Sequence, residues 1–358
     1  MDRQYIGSLD GVRALAFLLV FFSHSGYEIV PGGIGVTVFF FLSGYLITSL
    51  LRKEHARNGE ISLAHFYRRR ACRILPPLYC VLILTTLLDR FGIPSRELNA
   101  GGLLSVLFYY FNYGVLIFGR SAIHVANGMG VVWSLMVEEH FYVLFPVLYI
   151  AMLRKRLSAR SQSLLLTLTC LAVMVWRVIL VFAIHIDLNA REVWTYSATD
   201  ARFDSILWGC ILAIYANPWC GDEVRVINRY KAQLAIAGAG LLLLTFLVRE
   251  PHFRETIRYS LQGIALLPLF YYLIASPTSW IARVLACAPL HWLGMASYTM
   301  YLVHYFTLDV FERYLPLHPT VGIVLAFAAC GIFSEGIRRF VEVPFRRFGR
   351  LGHLSSPH

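Results

Sequence analysis

Several short stretches carry side chains that apolar surroundings make expensive. In RALAFLLVFFSH (13–24), Arg13 and His24 bracket a run of mostly apolar residues. They stand eleven positions apart, close to three helical turns, so on a helix both project from one face, roughly 16 Å apart along the axis. Either Arg13 snorkels to headgroups and His24 bonds a neighbouring carbonyl, or the pair marks a reactive site, as intramembrane ionisable residues often do. WSLMVEEHFYVLFP (133–146) sets Trp133, Glu138, Glu139 and His140 inside another apolar run. Consecutive helical residues point about 100° apart, so at most one of the two carboxylates faces a given partner squarely.

A second kind of chemistry is phosphate binding. FYRRRACRILPP (66–77) places Arg69, Arg70 and Arg73 just before an apolar run. Arg70 and Arg73 are three apart, so they share a helical face from which forked guanidiniums can grip phosphates bidentately. The plainer reading is that these arginines only set topology. In DARFDSILWG (200–209), Asp200 and Asp204 share a face and Arg202 points away, which suits internal salt bridges. In LGMASYTMYLVHY (293–305), His304 sits mid-run among small residues that favour close packing. In GGIGVTVFFFLSGYLIT (32–48), Gly35, Ser43 and Gly44 let a helix or a ligand chain approach the backbone.

The elements that must position these residues are membrane spans. The 358-residue chain is 58% hydrophobic and 15% charged, with a mean hydropathy of +0.61. No soluble globular domain has that composition. Apolar runs near bilayer length fall at 9–29, 34–51, 74–92, 131–153, 163–185, 198–215, 231–248, 257–275, 289–312 and 319–341. The expected fold is an all-α integral membrane protein of about ten transmembrane helices with both termini cytoplasmic.

Another apolar run, 101–118, would invert everything downstream if it crossed. With it left out, the 32 lysines and arginines favour the inner side by about three to one. We therefore read 101–118 as re-entrant or interfacial. The net charge of +11 falls between apolar spans and reads as topology signal, so no nucleic-acid partner is expected. The seven cysteines show no CxxC spacing, which leaves no disulfide framework and no metal site. No linker, low-complexity tail or internal repeat is evident, and 1–358 reads as a single transmembrane domain with no appended soluble domain.

The order of these motifs, from LDGVRALAF through GVTVFFFLSGYLIT, FYRRRACRILP, WSLMVEEHFY, DARFDSILWG and LGMASYTMYLVHY to VEVPFRR at 341–347, resembles the bacterial membrane acyltransferase-3 family. These are integral membrane O-acyltransferases acting on O-antigens, peptidoglycan, nodulation factors and macrolides. The resemblance implies transfer of an acyl group, acetyl by default, from cytosolic acetyl-CoA or another acyl-CoA to a hydroxyl. The acceptor would be a glycan, a lipid-linked sugar or a glycosylated small molecule, and the location the bacterial cytoplasmic (inner) membrane.

Carried over by position, His24 is the catalytic histidine, Arg13 its partner and Glu138 the family glutamate. Arg70, Arg73, Arg69, Ser43 and Gly44 fall to the donor. Glu139, Trp133, Arg202, Asp204 and His304 fall to the acceptor. His24 then acts as general base with Glu138 orienting its ring, or as a nucleophile through an acyl-histidine. Two other classes stay open: a proton-coupled transporter using the same intramembrane His, Glu and Arg residues, and a non-catalytic scaffold.

Overall fold

The computed structural model describes residues 6–27, 30–93, 95, 97–188, 190, 193–315 and 318–351. Among the described residues every regular element is helical: α1 (Gly7–His24), α2 (Gly32–Asn58), α3 (Leu63–Arg90), α4 (Ala100–Leu107), α5 (Phe111–Phe118), α6 (Trp133–Arg154), α7 (Ala159–Phe182), α8 (Trp194–Ser197), α9 (Thr199–Tyr215), α10 (Arg225–Arg229), α11 (Lys231–Leu247), α12 (Pro251–Glu255), α13 (Arg258–Ala275), α14 (Trp280–Leu285), α15 (Ala288–Tyr314), α16 (Pro319–Ile337) and α17 (Val343–Leu351). A 3₁₀ turn (Met129–Val132) leads into α6, and a π-helical turn (Arg338–Glu342) joins α16 to α17.

Capping chemistry sets many of the boundaries. The side chains of Ser62, Asn99, Ser158 and Ser279 accept from backbone N–H groups in the first turns of α3, α4, α7 and α14. Pro319 opens α16, where its missing N–H costs nothing. At α1 the helix stops at His24, and Gly26 takes a left-handed φ of +90° that other residues adopt poorly. The expected span 9–29 is therefore corrected to a shorter helix with His24 as its last residue, and positions 28–29 of that span lie outside the described residues.

All ten expected stretches are helical. Six helices are long and apolar enough to cross a membrane: Gly7–His24, Gly32–Asn58, Leu63–Arg90, Met129–Arg154, Ala159–Phe182 and Pro319–Gly349. The other four stretches are occupied by α9, α11, α13 and α15. α3 also takes in the basic stretch, running through Pro76 and Pro77, so the arginines stand on the same helix as the apolar run that follows them. The 101–118 run is not one span. It forms α4 and α5, eight residues each, about 12 Å apiece against a hydrocarbon core of about 30 Å. They are broken at Tyr109, whose φ is 59°.

The faces of α7 show what surrounds the helices. Leu164, Leu168, Leu171, Val175, Ile179 and Phe182 recur every three or four residues and are exposed, while Ser163, Leu166, Cys170, Arg177 and Leu180 are buried. An outward apolar stripe over an inward face that includes an arginine inverts the soluble pattern and suits lipid contact.

The chain divides into two compact units. The first holds the N-terminal residues through Ala16, Gly33–Ile61 and Val137–His291; the second holds Phe17–Gly32, Ser62–Met136 and Trp292 onward. In the first, α9 packs against α7 and α13, and α11 against α13. The α2–α9 crossing is backbone to backbone: a Cβ at Gly44 would stand 2.0 Å from the Ile206 carbonyl oxygen, and one at Gly209 would stand 2.0 Å from that of Phe41. Only paired glycines permit that approach. In the second unit α17 and the π turn lie on α3, and Phe21 of α1 meets Phe327 of α16 edge to face with ring centroids 5.1 Å apart.

Candidate active site

In the second unit, the end of α1 and the middle of α15 bring two imidazoles together. His24 Nδ1 lies 2.8 Å from His304 Nε2, with the rings nearly parallel at 13°. His304 Nδ1 lies 2.7 Å from the Tyr301 carbonyl oxygen one turn earlier. His304 is fully buried, with the Phe17 and Phe21 rings at 6.0 and 6.4 Å, whereas His24 is exposed and meets Tyr305 edge-on at 5.3 Å. One nitrogen of His24 is thus held from inside, and Nε2 has no hydrogen-bond partner among the described residues. The same turn of α15 is tied down at Tyr301. Its hydroxyl lies 2.8 Å from that of Ser134 and donates to the Val131 carbonyl at 3.2 Å, beside the buried Trp133.

The basic residues of α3 belong to the same unit. Arg70 and Arg73 are three apart on the helix, and they and Arg69 are half-buried. Arg70 lies over the Phe66 ring at 5.8 Å. Arg68 donates to the Phe348 carbonyl at 3.1 Å, and a Cβ at Gly349 would stand 3.0 Å from Cys72 Cβ. The C-terminal VEVPFRR stretch therefore docks beside the arginines. Its own Arg346 donates to the buried Glu342 at 3.1 Å. Sequence reading singled out both motifs without linking them.

The segment that follows α3 in this unit is pinned by polar side chains. Asp89 accepts from the Glu97 and Leu98 backbone at 2.8 and 3.1 Å. Asn99 caps α4 and also accepts from the His124 backbone N–H at 3.1 Å. Asn127 donates to Asp309 at 2.8 Å.

In the first unit, the Ser43 hydroxyl donates to Glu138 Oε1 at 2.5 Å and lies 3.1 Å from the Tyr142 hydroxyl, which donates to Oε2 at 3.4 Å. Ser43 and Gly44, assigned together from sequence to the donor, thus separate: Ser43 orients a carboxylate, and Gly44 is covered by α9. Arg13 and Glu139 are half-buried, and His140 Nδ1 lies 2.7 Å from the Thr199 hydroxyl.

The DARFD residues follow a different scheme from the spacing argument. Asp204 is fully buried and grips Arg177 of α7, with Oδ1 accepting at 2.9 Å and Oδ2 at 2.8 Å, while Oδ2 also accepts from Ser260 at 2.6 Å. Arg177 further donates to the Thr256 and Ala201 carbonyls and to Ser260. Asp200 instead accepts from the Trp176 and Trp194 indoles at 2.6 and 3.0 Å.

Arg202, also fully buried, lies 4.0 Å over the Tyr259 ring, 5.5 Å from Phe40 and 5.7 Å from Tyr196, and donates to Thr37 at 3.0 Å. An internal salt bridge is present, as the spacing suggested, but its cation comes from another helix. An arginine inside an apolar run needs buried acceptors, and its position within such a run is the signal in the sequence that points to Arg177.

Comparison with known proteins bears out the family resemblance. A family model described as Acyltransferase domain matches residues 6–334. The peptidoglycan O-acetyltransferase OatA of Listeria monocytogenes serovar 1/2a (strain ATCC BAA-679 / EGD-e) is 30% identical over 370 residues, covering 99% of this chain and 58% of that protein. The O-acetyltransferase OatA of Staphylococcus aureus (strain NCTC 8325 / PS 47) is 30% identical over 358 residues, covering 97% and 58%. The chain thus spans somewhat over half the length of these relatives. No solved structure matches it. With a family match over nearly its whole length and six helices fit to cross a bilayer, the chain is a multi-pass membrane protein that belongs to the acyltransferase-3 family.

Proposed function

We propose that this protein is a membrane O-acyltransferase, acetyl being the default group, that carries an acyl unit from cytosolic acyl-CoA to a hydroxyl of a glycan or glycosylated acceptor. The observation that carries the proposal is the His24 ring: exposed at the end of α1, held at Nδ1 and open at Nε2. A general base needs that arrangement, an oriented imidazole with one accessible lone pair. The relatives named as O-acetyltransferases, one of them acting on peptidoglycan, support the reaction class and a glycan acceptor.

In this scheme Arg70 and Arg73 hold the phosphates of coenzyme A. His24 Nε2 takes the proton of the acceptor hydroxyl as its oxygen bonds to the thioester carbonyl carbon. The carbon–sulfur bond then breaks, and the departing thiolate recovers that proton from the imidazolium, so no net proton is exchanged. Glu138, ordered by Ser43 and Tyr142, keeps the catalytic role that the family resemblance gives it, and Arg13 accompanies His24 on α1. Ten spans with both termini at the cytoplasmic face of the inner membrane complete the proposal.

The test is release of free coenzyme A thiol by the purified protein in detergent, with and without glycan acceptors, beside His24→Ala. Release from the wild type that vanishes in a variant with an unchanged gel-filtration profile is the expected result. Full release from His24→Ala would overturn the assignment.

A further inference from the structure

We infer that His304 is a positioning residue that sets the tautomer of His24, so that Nε2 of His24 carries the reactive lone pair. This inference rests on the reading of His24 as the base. It follows from a chain of three hydrogen-bonding groups. The Tyr301 carbonyl oxygen can only accept, so the His304 nitrogen 2.7 Å from it, Nδ1, is the protonated one.

His304 is fully buried among Phe17, Phe21 and Tyr301, and no carboxylate lies within ion-pair distance of it among the described residues. An imidazolium there would be an uncompensated buried charge, so the ring is neutral and its Nε2 presents a lone pair. The atom 2.8 Å from that lone pair is His24 Nδ1, which must therefore donate. A neutral imidazole carries one N–H, so the lone pair of His24 is on Nε2, the nitrogen that does not face His304.

When Nε2 takes a proton from the acceptor hydroxyl, His24 becomes an imidazolium and its Nδ1–H bond to His304 becomes charge-assisted, which stabilises the charged form where it develops. No atom is transferred to His304. It plays the part a carboxylate plays beside other catalytic histidines, with a neutral ring as acceptor and a backbone carbonyl fixing that ring in turn.

The experiment compares wild type with His304→Gln, whose amide oxygen offers an acceptor near the Nε2 position, and His304→Leu, which offers none. Nitrogen-15 spectra of ring-labelled protein, with His24 identified by the signals lost in His24→Ala, read the tautomer directly. Wild type and His304→Gln are expected to show protonated Nδ1 and bare Nε2 on His24, and His304→Leu to lose that preference. In coenzyme A release, His304→Leu is expected to lose kcat on the order of 10²–10⁴-fold with KM for the donor little changed, and His304→Gln to recover much of it.

Retention of the Nδ1–H tautomer in His304→Leu overturns the inference, and so does equal kcat in the Leu and Gln variants. If the wild type releases no coenzyme A, the transferase reading fails, and the nitrogen spectra still decide the tautomer.

Discussion

Replacing Asp204 with leucine removes one half of an ion pair from which water is excluded. At 2.8 Å and an effective dielectric of about 20, the gross attraction to Arg177 is roughly 6 kcal/mol. Desolvation of both charges offsets most of that attraction, so the pair itself contributes little net stability. The loss on breaking it comes from the guanidinium left behind, which cannot deprotonate. It would keep the Thr256 and Ala201 carbonyls and the Ser260 hydroxyl, all neutral acceptors.

That places the expected loss near the lower end of the usual range of about 3–5 kcal/mol for an orphaned buried charge. For a protein of this size such a loss is a fall in melting temperature on the order of 4 °C. The assay is thermal unfolding in detergent, followed by gel filtration after heating. Arg177→Leu/Asp204→Leu, which removes both charges, is expected to melt well above either single variant. If Asp204→Leu melts with the wild type, or the double variant falls by the sum of the two singles, the pair does not act as a buried ion pair.

Gly44→Val is expected to prevent folding or cost several kcal/mol, because its Cβ would stand 2.0 Å from the Ile206 backbone oxygen with no flexible side chain to yield; expression and gel filtration check it. Gly26→Ala, in open space but at a φ of +90°, should cost only about 1 kcal/mol in the same melting assay. Replacing Arg70 and Arg73 together with glutamine should raise the apparent KM for acyl-CoA far more than that for the acceptor. Equal effects on both substrates would argue against a phosphate-binding role.

Helices and their faces were legible in the sequence, because apolar periodicity and length are local quantities. The ten stretches all proved helical, and the basic motif lay just before its apolar run as expected. Ends were less legible where a turn signal competed with hydropathy: the span drawn to 29 ran past Gly26, a stop signal already present in SHSG. The break at Tyr109 sits in YYFNY, without glycine or proline, and only the packed segment places a tyrosine at positive φ.

The reactive residue types were also visible from sequence, because a His, Glu or Arg in an apolar run is costly wherever it folds. Their partners were not. Asp204 is 27 positions from Arg177, and His24 is 280 from His304. Which groups meet depends on how helices cross, and those crossings are decided by small residues such as Gly44 and Gly209 that let backbones touch. Sequence therefore determined the membrane class, the helices and the candidate chemistry. Only the tertiary structure decided that Asp204 belongs to Arg177, that Ser43 and Tyr142 order Glu138, and that a buried imidazole stands behind His24.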